Sequence, residues 1–315
     1  MTEYIVRRLI QSVIVVIGVT IIVFIILHLL PGGPARALLG PQATPQQVYT
    51  FELENGYTKP FFVQYVDFLK ALLSGNLGFS YHYNQTVASL LTQALPKSVL
   101  LVGLSYVVAL IIAIPLGILQ ALRRNKPVDY VVTGVSFVGY SMPVFWLGML
   151  LIIGLSVNLH WFPPEGPQGA TIGSVLESPR ALVLPVATLA IINIAVFSRF
   201  MRSSALENLV QDYIRTARGK GLPTRRVVFV HLLRNSLTPV ITLLGLSLPW
   251  AISGALITES VFNYQGMGLL FWTAATTHDY PVLLGFTVVV AVATVLGSLL
   301  ADVVYATADP RVRYR

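Results

Sequence analysis

The feature that most constrains this chain is a series of apolar blocks, each about 20 residues long, the length an α-helix needs to cross a hydrocarbon core of about 30 Å. They run from Leu9 to Leu30, Ser98 to Leu122, Val131 to Leu159, Ala181 to Phe200, Leu237 to Ile257 and Val282 to Tyr305. Only 11% of the residues are charged, against about 25% in an ordinary soluble domain, and the mean hydropathy is +0.73. A backbone in lipid has to satisfy its own hydrogen bonds, so only helices or a closed barrel can follow. Blocks of helix length, rather than alternating segments of about ten residues, exclude the barrel. The reading is an all-α integral membrane protein with six transmembrane helices.

Six spans put both termini on one side. Sixteen of the 21 Lys and Arg then fall on that side, in Arg7 and Arg8, Arg123 to Lys126, Arg199 to Arg234 and Arg311 to Arg315. Arg36, Lys59, Lys70, Lys97 and Arg180 fall on the other. The excess places the termini and segments 123–130 and 201–236 in the cytoplasm. The net charge of +8 is thereby explained by orientation, and no nucleic-acid partner is needed to account for it. The chain reads as one permease-sized domain, 1–315. It comprises a first helix 9–30, an extracytoplasmic segment 31–97, a five-helix core 98–305 enclosing the loop 201–236, and a cytoplasmic tail 306–315. The first block lacks a small-x-small site before "LLPGGPA", so it is expected to stay as a helix rather than be cleaved as a signal.

In the extracytoplasmic segment, Phe61, Phe62, Tyr65, Val66, Phe68, Leu69, Leu72 and Leu73 recur at helical spacing and predict an amphipathic helix. It is either a docking surface or a helix lying on the bilayer. "SGNLGFS" reads as a Gly-rich turn, and Pro96 is placed in the first turn of the second span.

Ionisable groups inside a bilayer are costly and mark ion paths or catalysis. Here His28, Glu259 and Asp302 lie near predicted span ends, within reach of water, and Arg199 can snorkel to the cytoplasmic interface. No His/Glu pair at metal-ligand spacing lies in a span, and the absence of Cys removes thiolate chemistry. An ion-coupled carrier or a membrane-embedded enzyme calls for more than this. Asn193, the most polar residue deep in a span, is expected to hydrogen-bond between helices, with substrate contact on the pathway as the alternative.

The organised cytoplasmic segment is 201–236. "LENLVQDYIRTARGKGL" reads as a helix continuing from the fourth span and ended by Gly219 and Gly221. A second helix opens at Pro223, with Val227, Val228, Leu232 and Leu233 on one side and Arg225, Arg226, His231, Arg234 and Asn235 at polar positions. Physics alone leaves a docking knob and a solvated positive loop equally open.

The stretch from Asp212 to Thr242, "DYIRTARGKGLPTRRVVFVHLLRNSLTPVIT", resembles the cytoplasmic signature of permease subunits in ATP-binding-cassette importers, in the form found in the oligopeptide/dipeptide/nickel permease family. Arg215, Thr216 and Ala217 stand at its first three places, Gly221 at its glycine, and His231 to Arg234 at its end. The blocks "GNLGFSY", "SMPVFWLGMLLI", "LHWFPPEG", "ITESVFNYQGMGLL" and "DYPVLLG" resemble the same family in the same order, so the likeness covers nearly the whole chain. Gly33 departs from it, standing where the family commonly has Asp.

The resemblance implies the type I importer permease fold with a cytoplasmic coupling helix. Asp212, Tyr213, Arg215, Thr216, Ala217, Arg218, Gly219 and Gly221 would form the surface that sits in a groove of an ATPase. It further implies a second homologous permease, two cytosolic ATPases and an extracytoplasmic substrate-binding protein, in the inner membrane of a prokaryote. The chain has no G-x-x-x-x-G-K-[ST] loop, so ATP and Mg belong to the partner ATPases and no cofactor or metal is expected here. A pathway between the two permeases would be lined by the later spans. Pro143, Pro185 and Pro239 are either helix breaks or packing kinks, Phe145 and Trp146 face either the pathway or lipid, and Glu259 contacts the binding protein, closes a gate or stays hydrated, with a gate contact favoured. The expected substrate is a di- or oligopeptide, with nickel chelates, glutathione or glycosides as the alternative class.

Overall fold

The structure, a computed structural model, describes residues 2–29, 33–40, 42–54, 56–80, 82–169 and 171–308. Helix α1, Thr2–Leu29, covers the first apolar block up to Leu30, which lies outside the described residues. Three short helices follow, α2 (Gly33–Leu39), α3 (Pro45–Glu54) and α4 (Phe61–Leu73). The expected amphipathic helix is α4. One face packs on α1, where Tyr65 Oη meets Thr20 Oγ1 at 3.0 Å, Gln64 Oε1 meets His28 Nε2 at 2.9 Å, and Phe24 lies among the rings of Phe61, Tyr65 and Phe68. Its other face leaves Phe62 and Leu73 exposed.

The Gly-rich turn runs into a short hairpin. Two-residue strands β1 (Phe79–Ser80) and β2 (Gln85–Thr86) pair antiparallel, Phe79 opposite Thr86 and Ser80 opposite Gln85. The hydroxyl of Thr86 then accepts from the Ser89 amide and starts α5, Val87–Leu122. That cap moves the start of the second span eleven residues ahead of Ser98, so Pro96 and Lys97, expected at or before the span's edge, lie well inside a helix. Lys97 is only 3% exposed.

The third span is also corrected. α6, Pro127–Ser141, and α7, Val144–Leu151, meet at an angle of 104° instead of forming one rod. Pro143 is the cause. It has no N–H to give the helix, and it holds Met142 in an extended conformation at φ −73°, ψ 132°. Beyond α7 the helix widens into a π segment, Ile152–Asn158.

The short helix α8, Ile172–Leu176, leads to α9, Pro179–Leu209, whose first turn is opened by a proline. Next come α10 (Asp212–Gly219), α11 (Thr224–Arg226), a second π segment (Val227–Leu232), α12 (Leu233–Ser236) and α13 (Thr238–Ser253). The fifth span therefore stops before Ile257, which belongs to α14, Leu256–Val261. α15 (Met267–Thr277) and α16 (Tyr280–Ala308) complete the chain, and α16 runs past the expected start of the tail, whose residues 309–315 lie outside those described.

Among the described residues, α5, α9 and the Tyr280–Ser298 part of α16 are unbroken helices long and apolar enough to cross a membrane. Two bent pairs, α6 with α7 and its π segment, and α11–α12 with α13, raise that number to five. α1 adds a shorter apolar stretch, Val13–Leu29. The core is centred on α5 against α9. A Cβ on Gly117 would fall 2.6 Å from Met201 Cβ and 2.8 Å from the Ser198 carbonyl, so the two backbones approach closely because Gly117 has no side chain.

Candidate functional site

The knob formed by segment 201–236 is built by a break the sequence does not announce. α9 stops at Leu209, Gln211 turns extended at φ −72°, ψ 151°, and Asp212 opens a separate helix α10. The segment from Asp212 is thus not a continuation of the span. Asp212 in the first turn and Arg218 in the last complement the dipole of this short helix, and Tyr213 Oη donates to Asn208 Oδ1 of α9 at 2.6 Å, bracing the two across the break.

α10 is sharply two-faced. Ile214 and Ala217 are buried, while Asp212, Arg215, Thr216, Arg218 and Gly219 are exposed. Ala217 was expected to permit close approach of an ATPase, but it faces inward. There, with Ile214, it joins Val227, Val228 and Leu232 of the second π segment and Met201 and Ala205 of α9 in one apolar cluster. Leu233 is half-buried on the same cluster, and Arg225, Arg226, Arg234 and Asn235 are exposed, as their pattern predicts. The Asp212–Arg215 pair, 3.7 Å apart and exposed on both sides, adds little stability. Gly221 turns the chain at φ +73°, with nothing within 4 Å of a Cβ built there, so the demand for glycine is conformational rather than spatial.

Glu259, expected near water at a span end, is fully buried. Its Oε1 accepts from Ser98 Oγ at 2.7 Å and the Ala255 amide at 3.0 Å, and its Oε2 from the amides of Gly268 at 2.7 Å and Leu269 at 3.2 Å. Burial pushes the carboxyl above its usual range, and these four donors oppose the rise. Ser98 Oγ accepts in turn from the Met267 amide at 2.7 Å, and Tyr264 Oη donates to the Lys97 carbonyl at 2.8 Å. A Cβ on Gly266 would lie 2.5 Å from Glu259 Oε2, so the chain can wrap the carboxylate only where a side chain is missing. Glu259 is a bracket fastening α14 and α15 to α5.

Among the described residues, none of the remaining pathway candidates bonds to Glu259, although α7 packs against α14 at Gly148. Pro143 forms the α6–α7 break, while Phe145 and Trp146 are 48% and 44% exposed on α7. Asn193 donates to the Leu189 carbonyl of its own helix at 2.9 Å, so the expected bond between helices is not made. Pro185 is buried within α9, and Pro239 sits in the first turn of α13 beside a 41° bend. Asp302 lies in α16, but its side chain is outside those described.

Two contacts escaped the sequence reading. Arg202 of α9 holds Asp129 of α6 through Nε to Oδ1 at 2.7 Å and NH2 to Oδ2 at 2.8 Å, and the Asn125 amide adds a third bond at 3.0 Å. Ser80 Oγ donates to Asp279, fastening the hairpin to the start of α16. The only local hint was an acid in the first turn after Pro127, a favourable place for a carboxylate at a helix N-terminus.

A chain of a solved structure, titled as inward-facing conformations of the MetNI methionine ABC transporter, has the same fold. The TM-score is 0.54 at 16% identity, covering 70% of this chain and 96% of that one. An oligopeptide transport system permease protein, AppB of Bacillus subtilis (strain 168), is 40% identical over 100% of both chains. A di/tripeptide transport system permease protein, DppB of Pseudomonas aeruginosa (strain UCBPP-PA14), is 36% identical over 100% of both. The dipeptide permease DppB of Escherichia coli (strain K12) is 32% identical, again over 100% of both. Residues 1–102 match the N-terminal part of the binding-protein-dependent transport system membrane components, and residues 113–314 match their inner membrane component proper. The chain therefore belongs to the family of inner-membrane permease subunits of binding-protein-dependent ABC transporters.

Proposed function

We propose that this chain is one of two homologous permeases in an importer of di- or oligopeptides, with both termini in the cytoplasm. The two-faced α10 carries this reading: its inner face is locked to the permease core and its outer face is polar, exposed and directed away from the bundle. Two cytosolic ATPases supply the energy, with ATP and Mg held by them, and this subunit catalyses nothing itself. Asp212, Arg215, Thr216 and Arg218 meet an ATPase, while Ile214 and Ala217 pass its movement to α5, α9 and α13. The names of the relatives, each aligned over its full length, support a peptide as the cargo. A bound extracytoplasmic protein selects that cargo, and the permease is comparatively unselective.

Purification of the chain from its native membrane in mild detergent tests the proposal. A second permease, ATPases and a peptide-binding protein are expected to co-purify, with ATP hydrolysis stimulated by the peptide-loaded binding protein. An active assembly without an ATPase would sink the reading.

A further inference from the structure

One seam of the bundle belongs neither to the cytoplasmic knob nor to the Glu259 bracket. α6 and α9 run antiparallel, with Asp129 against Arg202 at one level and Gly139 against Ile191 farther along, where a Cβ on the glycine would lie 3.5 Å from Ile191 Cγ2. Between these levels lies a cavity of about 330 Å³ with apolar walls from α5, α6 and α9, including Leu116, Val131, Val135, Ile194 and Ala195. Its volume is that of an ordinary small-ligand site.

Arg199 and Tyr140 flank this cavity. Arg199 follows the cavity residue Ala195 by one turn, and Tyr140 follows Ser136, also in the wall, by one turn, so each shares the cavity's face of its helix. Side chains lean toward the N-terminus of their own helix, so on antiparallel helices these two lean toward each other. The Arg199 guanidinium carbon stands 5.4 Å from the centre of the Tyr140 ring and 5.8 Å from that of Phe200. Snorkelling is therefore not its only recourse.

Ring faces attract a cation but bring no counter-charge, and Arg199 has no carboxylate partner among the described residues. Asp129, the acid on this seam, is already engaged twice by Arg202. Arg123, Arg124 and Lys126 stand exposed on the turn before α6, at the Asp129 end of the seam. An apolar slot open at the surface of this chain, with an unpaired guanidinium beside it, matches a molecule with one anionic head and long hydrocarbon tails.

We infer that the α6/α9 seam binds an anionic phospholipid of the cytoplasmic leaflet, with an acyl chain in the cavity and its phosphodiester on Arg199. The choice of leaflet rests on the proposed orientation, which surface labelling tests separately. Because α9 leads directly into α10, a lipid wedged here sets the spacing of the helices that carry the knob.

The test uses the complete transporter in nanodiscs of phosphatidylcholine containing a small fraction of phosphatidylglycerol, with retained lipid identified by native mass spectrometry. Wild type is expected to keep phosphatidylglycerol in preference, Arg199→Gln to lose about fivefold of that retention, and Arg199→Lys to keep most of it. Gly139→Leu leaves every cation in place but fills the slot, and is expected to lose the lipid too, which keeps the test decisive if Arg199→Gln fails to assemble. Equal retention of the two lipids by wild type, or undiminished phosphatidylglycerol in both Arg199→Gln and Gly139→Leu, would overturn the inference. So would displacement of the lipid by soluble glycerol phosphate alone. If Arg199→Gln instead alters the preference for a peptide over its C-terminal amide while lipid retention stays constant, Arg199 faces the cargo and the lipid site is wrong.

Discussion

Gly219 and Gly221 look alike in the sequence and differ in the structure. Gly219 ends α10 in a helical conformation, whereas Gly221 has φ +73° with open space around its missing Cβ. A β-branched residue in that left-handed region is strained by about 1–2 kcal/mol or more. Gly221→Val is therefore expected to abolish transport and uncouple ATP hydrolysis from the loaded binding protein while leaving membrane insertion intact. Gly219→Ala, with room for its methyl group, should behave as wild type. Equal loss in both variants would show that the bend at Gly221 is not what matters. Glu259 makes a second prediction at this scale. Glu259→Gln substitutes an NH₂ for one oxygen and sets donor against donor among the four bonds of a buried side chain. It is expected to cost about 2–4 kcal/mol, read as a lowered thermal midpoint of the detergent-solubilised protein. An unchanged midpoint would mean that the bracket contributes nothing.

At the scale of elements, what was legible depended on whether the signal was local. Within residues 212–236 the turn and the second helix were legible because glycine, proline and alternating apolar and basic residues act over a few positions, so Gly221, Val227, Val228 and Leu232 fell into place, whereas the break between α9 and α10 did not. The 104° break at Pro143 was visible only as a possibility, since a proline in an apolar run marks either a helix break or a packing kink. The start of α5 was missed because "VASLLTQALPK" mixes polar with apolar residues, and the Thr86 cap outweighs that loss of hydropathy. The struts between elements were illegible: Ser98 and Glu259 are 161 residues apart, and Asp129 and Arg202 are 73 apart. The second of these ties α6 to α9 with a built-in asymmetry, for Asp129 is 3% exposed at its side chain and Arg202 is 30% exposed. Arg202→Ala strands a buried carboxylate and is expected to cost about 3–5 kcal/mol. Asp129→Asn frees an arginine that can turn to water and should cost clearly less. Thermal midpoints of the two variants, measured side by side, decide it, and the reverse order would mean that Asp129 is hydrated in the membrane.

For the whole molecule the open question is which end of the bundle faces which compartment. The fold makes that question sharp, because the knob around α10 and the hairpin β1–β2 carry opposite assignments. The distribution of Lys and Arg supplies the sign, through the energetic preference for keeping cations in the cytoplasm. The chain contains no Cys, so a single introduced thiol reports its own surroundings without background. Gln85 in β2 and Arg218 in α10 are both exposed, whereas Ala217, next to Arg218, is buried. In intact cells, Gln85→Cys is expected to react with a membrane-impermeant maleimide at once, and Arg218→Cys only after the membrane is opened. Ala217→Cys should react slowly in either case, which separates a thiol hidden by folding from one hidden by the bilayer. Assembly adds a further contrast. If α10 seats in an ATPase groove, Arg218→Cys in opened membranes should become protected when the ATPases are bound and reactive again when they are stripped away, while Gln85→Cys stays unaffected. Reaction of Arg218→Cys in intact cells would invert the bundle, and with it both the coupling role of α10 and the cytoplasmic leaflet assigned to the α6/α9 seam.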